Sequence, residues 1–217
     1  KILILPYPCN PTGAIMEKED IEGIYEVIKD TNIIVLSDEI YSELTFGGNG
    51  HVSPASVEGM KERTVTINGF SKAFSMTGWR LGFACGPKEL LSQIIKIHQY
   101  AIMCAPTASQ YAGIDAVMNG DDDIEYMKDC YNQRRRMLLS GLNEIGIECF
   151  EPEGAFYVMM NIKEVFGREI CGKVINTSDD FCEVLLENSL VALVPGSGFG
   201  IEGYVRWSYA TSMENIV

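Results

Sequence analysis

Two short, wholly apolar runs, Ile2–Leu5 and Ile33–Leu36, bracket a segment in which Ile21, Ile24, Val27 and Ile28 recur at helical spacing. A strand that is apolar throughout, without alternation, reads as one buried on both faces, the situation of parallel sheets covered by helices. Pro6 and Pro8 end the first run, and Asn10-Pro-Thr-Gly13 follows, a tetrapeptide that most often makes a turn. Two further apolar runs, Thr64–Ile67 and Leu81–Cys85, enclose the irregular stretch Asn68-Gly-Phe-Ser-Lys-Ala-Phe-Ser-Met-Thr-Gly-Trp-Arg80. A helix starts at Pro87, with Leu90, Leu91, Ile94, Ile95 and His98 on one side. Residues 45–63, with Gly47-Gly-Asn-Gly50, His51 and Pro54, read as a loop. The order predicts an α/β fold with a largely parallel sheet and helices on both faces.

Beyond about residue 105 the pattern changes. Asp121-Asp-Asp123 opens a long helix that runs through Arg134-Arg-Arg136 to Gly146, with acidic residues where the helix dipole favours them. The arginine triple reads as a solvated helix face. Strand-like segments follow at Glu148–Phe150, Ala155–Ile162, Leu190–Val194 and Tyr204–Ala210, with a helix from Ser178 to Asn188 that turns Phe181, Val184 and Leu185 inward. These predict a smaller α+β domain at residues 121–217, incomplete at its C-terminus, after part of a larger domain at 1–120. The glycine-rich loop Pro195–Gly200 is no dinucleotide fingerprint, because no helical pattern opens after it.

Composition narrows the function classes. A formal net charge of −13 argues against a general nucleic-acid or anionic-membrane surface but permits a local anion site. No apolar run approaches the roughly 20 residues of a membrane span. The seven cysteines, without C-x-x-C spacing, read as reduced cytosolic thiols packed as small hydrophobes. His51 lies in a loop and His98 on a mostly apolar helix, so neither is assigned a metal or base role, and a Ser-His-Asp mechanism has little support. Both ends read as cut: the chain opens in a strand without methionine and stops in the first turn of a helix.

Several residues stand where chemistry is expected. Asp38 directly follows an apolar strand, and ligands of open α/β sheets bind outside the carboxyl ends of strands; the alternative is an N-cap. Tyr41 follows three residues later. Lys72 and Arg80, eight residues apart among small and hydroxylated neighbours, are either two solvated cations or a lysine that forms a Schiff base beside an arginine that holds a phosphate. Arg206, inside the aromatic strand Tyr204-Val-Arg-Trp-Ser-Tyr209, needs an anionic partner, structural or from a ligand.

The ordered set Asn-Pro-Thr-Gly, Ser-Asp-Glu-Ile-Tyr, Gly-Phe-Ser-Lys with Gly-Trp-Arg, and Val-Arg-Trp-Ser resembles the fold-type I aminotransferases, the class I/II pyridoxal 5'-phosphate enzymes related to aspartate aminotransferase. The resemblance covers essentially the whole chain. It implies amino-group transfer between an L-amino acid and a 2-oxo acid in a cytoplasmic homodimer, with no nucleic-acid or membrane partner and no metal. Lys72 would carry the cofactor as a Schiff base and move the proton at the substrate Cα. Asp38 would pair with the pyridine nitrogen, Asn10 and Tyr41 with the phenolic oxygen, and Ser71 and Arg80 with the phosphate. Arg206, with Asn10, would grip the substrate α-carboxylate. The resemblance also implies a cis Asn10–Pro11 bond. Gly69 stands where some relatives place a phosphate-binding hydroxyl. The family's phosphate loop, ring-stacking aromatic and neighbour-subunit residues precede position 1, so this chain alone is expected to be inactive. Two other readings remain: a pyridoxal-phosphate C–S lyase, and an aminotransferase-like effector-sensing domain of a regulator.

Overall fold

The computed structural model describes residues 1–48 and 50–217; Asn49, within the expected loop, lies outside the described residues. The chain divides into two compact units, one of Lys1–Cys9 and Ala14–Lys128, the other of Asn10–Gly13 and Asp129–Val217. The expected division at 120/121 thus falls eight residues early, and the Asn10–Gly13 turn belongs with the second unit. The reason for the latter is local: the backbone N–H groups of Glu153 and Gly154 both donate to the Gly13 carbonyl, at 2.9 and 2.8 Å.

The first unit holds a four-stranded sheet of β1 (Ile2–Leu5), β2 (Ile34–Asp38), β3 (Thr64–Gly69) and β4 (Gly82–Cys85), in that spatial order. The first three strands are parallel and β4 is antiparallel to β3. Helix α1 (Lys18–Ile28) crosses between β1 and β2, and its first turn is fixed by Asp20 Oδ2, which accepts from the Glu17 N–H at 3.0 Å. Ile21 and Ile28 bury against Leu5, Val35, Val57 and Met60. Each such side chain contributes about 1.5–3 kcal/mol on burial. Two expectations need correction. Val27 is 79% exposed, because it sits at the margin of the α1 stripe. Among the described residues β1 lies at one end of the sheet, and Ile2 and Ile4 are exposed while Leu5 is buried.

A four-residue helix, α2 (Phe70–Ala73), and a 3-10 turn (Thr77–Trp79) fill the connection from β3 to β4. Helices α3 (Lys88–Ala101) and α4 (Thr107–Asn119) follow. The apolar side of α3 is only partly covered: Leu90 and Leu91 are half-buried, but Ile94 and Ile95 are exposed, as are Tyr111, Ile114 and Met118 on α4. Helix α5 (Asp121–Glu144) runs on from these into the second unit. Among the described residues no helix is long and apolar enough to cross a membrane.

The second unit is built on a three-stranded antiparallel sheet of β5 (Tyr157–Asn161), β8 (Val194–Pro195) and β9 (Tyr204–Ser208), with β9 in the centre. A small hairpin, β6 (Glu169–Ile170) and β7 (Lys173–Val174), was not legible in the sequence. Helix α6 (Ser178–Ser189) starts at a reciprocal capping box: Thr177 Oγ1 accepts from the Asp180 N–H at 3.1 Å, and Asp180 Oδ2 from the Thr177 N–H at 3.0 Å. The expected strand Leu190–Val194 is confined to its last residue, because Leu190 closes α6 in the left-handed conformation (φ 57°) and is 86% exposed. The cysteines also depart from expectation. All seven are free, but only Cys182 is buried, whereas Cys85, Cys104 and Cys171 are exposed. Burial pushes the Cys182 thiol up to about 11, which keeps it protonated at neutral pH.

Candidate functional site

In the first unit, parallel pairing sets the carboxyl ends of β2 and β3 side by side, with Asp38 opposite Ile67. The Glu39 N–H donates to the Ile67 carbonyl at 2.8 Å, which carries the pairing one residue past the strand. Asp38 is half-buried, and its Oδ1 accepts from the Ile40 N–H at 3.3 Å. Tyr41 is buried, and Lys72 Nζ lies 5.6 Å from the centre of its ring. The Asn68 amide donates to Ser42 Oγ at 3.0 Å and ties the two strand ends together again.

Gly69 permits the turn that presents Lys72. A Cβ there would stand 3.0 Å from the Leu81 carbonyl and 3.1 Å from the Gly82 Cα, tighter than most side-chain contacts, so β4 would have to give by a few tenths of an ångström. Beyond it, Thr77 Oγ1 donates to the Ser71 carbonyl at 2.8 Å, and the Arg80 guanidinium to the Thr77 carbonyl at 2.8 Å. Arg80 is exposed, in left-handed backbone (φ 52°), at the end of the 3-10 turn. Asp38, Tyr41, Ser71, Lys72 and Arg80 thus share one end of one sheet.

The second unit holds the other two expected residues. Arg206, on the central strand β9, donates from Nη1 to Asn10 Oδ1 at 2.7 Å. Its guanidinium lies 4.4 Å from the ring centre of Tyr157 and 5.1 Å from that of Phe199. Its Nε is buried without a hydrogen-bond partner. The Asn10–Pro11 bond is cis, as is Tyr7–Pro8.

Two polar groups escaped the sequence reading. Glu39 is 4% exposed, with Oε1 accepting from Ser53 Oγ at 2.7 Å and Thr66 Oγ1 at 3.4 Å, and Oε2 lying 2.9 Å from His51 Nε2. Strand alternation held the clue, because Ser37 and Glu39 must face away from Asp38. His51 and Ser53 both meet the carboxylate, so this is a clamp on the loop after β2 rather than a nucleophile-base pair. The other group is Arg135, which is buried rather than solvated: its guanidinium donates to the Pro152 carbonyl at 2.8 Å.

Burial alone would raise the Glu39 pKa, but the bonds from His51 and Ser53 outweigh it and hold the carboxyl below its ordinary range. Folding then favours the ionised form. That stability is present above the unfolded value, near pH 4.3, and is lost as pH falls through the lower folded value. Glu39→Gln is expected to cost about 1.5–3 kcal/mol at pH 7. It should also flatten the decline in urea-unfolding free energy below about pH 5; an unchanged slope would show that the charge is not the stabilising element.

The comparisons with known proteins agree on a family. The sequence profile described as "Aminotransferase class I and II" matches residues 1–216. The protein YugH of Bacillus subtilis (strain 168) is 48% identical over 218 residues, which cover 100% of this chain and 54% of the relative. The crystal structure of the aspartate aminotransferase from Rhizobium meliloti superimposes with a TM-score of 0.94 at 38% identity, over 99% of this chain and 55% of that one. That of the aromatic aminotransferase from Pyrococcus horikoshii OT3 gives 0.91 at 41% identity, over 100% and 57%. The chain therefore spans about half the length of the relatives it matches. On a profile match that runs from the first residue to the last but one, the chain belongs to the aminotransferase class I and II family, whose members generally depend on pyridoxal phosphate.

Proposed function

We propose that the protein transfers an amino group between an L-amino acid and a 2-oxo acid with pyridoxal 5'-phosphate as cofactor. The observation that carries this reading is the donor set at the end of the first unit's sheet. It supplies a lysine amine for an aldehyde, a carboxylate for a pyridine nitrogen, a phenol for the ring oxygen, and a hydroxyl with a guanidinium for a phosphate. Lys72 and Tyr41 are neighbours at 5.6 Å. These groups answer the cofactor's functional groups one for one, so the residues present fit it.

When bound, pyridoxal phosphate supplies an aldehyde and a protonated ring that takes up electrons released at the substrate Cα. Asp38 would hold the proton on the ring nitrogen, and the Tyr41 hydroxyl would donate to the ring oxygen. Ser71 and Arg80 would bind the phosphate. Lys72 would hold the aldehyde end of the cofactor, and its amine would take up and return the proton at the substrate Cα. Arg206, with Asn10, would receive the substrate α-carboxylate. The named relatives act on aspartate and on aromatic amino acids, so the shared α-amino carboxylate is the part of the substrate assigned here.

A cytoplasmic homodimer completes the proposal. Seven free thiols suit a reducing compartment. The exposed apolar side chains of α3 and α4 suit a surface covered by further protein. The test uses the full-length protein with pyridoxal phosphate, a panel of amino acids and a 2-oxo acid acceptor. Amino transfer that requires the acceptor is the expected result. Release of ammonia and a 2-oxo acid without acceptor would replace this reading with that of a lyase.

A further inference from the structure

Helix α5 carries three consecutive arginines, and the middle one points inward. Arg136 is exposed and Arg134 lies over the Tyr131 ring at 5.6 Å, but Arg135 is only 8% exposed. Its Nε donates to Asn132 Oδ1 at 3.1 Å, and its Nη1 to the Pro152 carbonyl at 2.8 Å and to Glu151 Oε1 at 3.1 Å. The Glu151 side chain is 74% exposed, so water screens that ion pair and it adds little. The buried bond to Pro152 is the one that fixes the loop.

We infer that Arg135 is a positioning residue for the carboxylate-binding pair Arg206 and Asn10, because it fixes the Glu151–Gly154 loop on which the Asn10–Gly13 turn rests. This deepens the proposed function and rests on Arg206 as the carboxylate site. The path is short and each link is a contact. The Glu153 and Gly154 N–H groups converge on the Gly13 carbonyl at 2.9 and 2.8 Å. Gly13 lies flat on the loop: a Cβ there would fall 2.3 Å from the Pro152 Cβ and 2.8 Å from the Gly154 carbonyl, and its φ is +72°. Three residues before Gly13, Asn10 Oδ1 accepts from Arg206 at 2.7 Å. The guanidinium serves the three acceptors from two separate nitrogens, Nε and Nη1, whereas an ammonium presents a single donor centre.

The experiment compares Arg135→Met, Arg135→Lys, Asn10→Ala and the Arg135→Met/Asn10→Ala double variant in the full-length protein, with Arg206→Met as control. Steady-state kinetics gives kcat and KM. Calorimetry gives the dissociation constant of the Cα-methyl analogue of the same amino acid, which keeps the carboxylate but has no proton to lose. Arg135→Met is expected to raise KM and the dissociation constant about tenfold and to change kcat by no more than about twofold. Arg135→Lys should fall between it and the wild type. In the Asn10→Ala background, Arg135→Met should add less than about twofold, because the link it acts through is already gone.

Thermal melts identify variants that fail to fold; if Arg135→Met does, Arg135→Lys carries the same criteria with a smaller expected rise. A folded Arg135 variant with wild-type KM and analogue affinity overturns the inference. So does a full tenfold loss on top of Asn10→Ala. If Arg206→Met itself leaves analogue binding intact, the carboxylate assignment has failed rather than the link to Arg135.

Discussion

Lys72→Ala in the full-length protein is expected to lower amino transfer by about 10⁴-fold, because on the proposed reading one amine serves both as the covalent anchor and as the proton carrier. Borohydride reduction in the presence of pyridoxal phosphate should add one cofactor mass to the wild-type peptide that contains Lys72 and none to the variant. Lys72→Arg should not rescue, since a guanidinium keeps its proton at any accessible pH and cannot act as base or nucleophile.

Stability should change little with either substitution. The turn is held by its backbone: the Phe70 N–H donates to the Leu81 carbonyl at 3.2 Å and the Met76 N–H to the Phe70 carbonyl at 3.2 Å, with the Thr77 hydroxyl on the Ser71 carbonyl at 2.8 Å. Lys72 itself is half-exposed, so its replacement falls in the range of about 1 kcal/mol. A variant that keeps a tenth or more of the activity, or a label on another lysine, would remove Lys72 from the site.

The elements that position this turn were readable because local signals and tertiary packing agree. Short apolar runs became β1 to β4, and the Asp-rich start of α5 lies within a residue of its expectation. Failures occurred where a residue's setting depends on a distant partner. Nothing local marks Arg135 as different from Arg134 and Arg136; the carbonyl of Pro152, 17 residues away, decides it. Glu39 and His51 are equally opaque, because their partnership requires the loop after β2 to return beneath the strand. Leu190 reads as the start of an apolar strand, yet the helix before it ends on a left-handed residue there. By contrast, the residues of the ordered motifs meet within single units: Lys72 lies beside Tyr41 in the first, and Arg206 bonds Asn10 in the second.

Arg206→Met is expected to separate activity from stability. The guanidinium is stacked between Tyr157 and Phe199 and gives Nη1 to Asn10, but its buried Nε has no partner. An unsatisfied buried donor costs about 1–3 kcal/mol, and a hydrogen bond from a charged group returns about 1.5–3 kcal/mol. In the folded protein the two terms nearly cancel, so methionine, which fills similar space between the rings, should leave unfolding free energy within about 1 kcal/mol of wild type. Catalysis has no such offset. Losing a paired, partly desolvated charge at a ligand carboxylate costs about 2–5 kcal/mol, or roughly thirtyfold to several thousandfold in kcat/KM. Arg206→Lys should recover little, because the flat, forked group matches a carboxylate and stacks on rings in a way that an ammonium does not. Denaturant unfolding and steady-state kinetics on the same preparations check both halves. A loss of 3 kcal/mol or more in stability with KM unchanged would make Arg206 a structural residue of β9, whose unpaired Nε would then have no role in binding substrate.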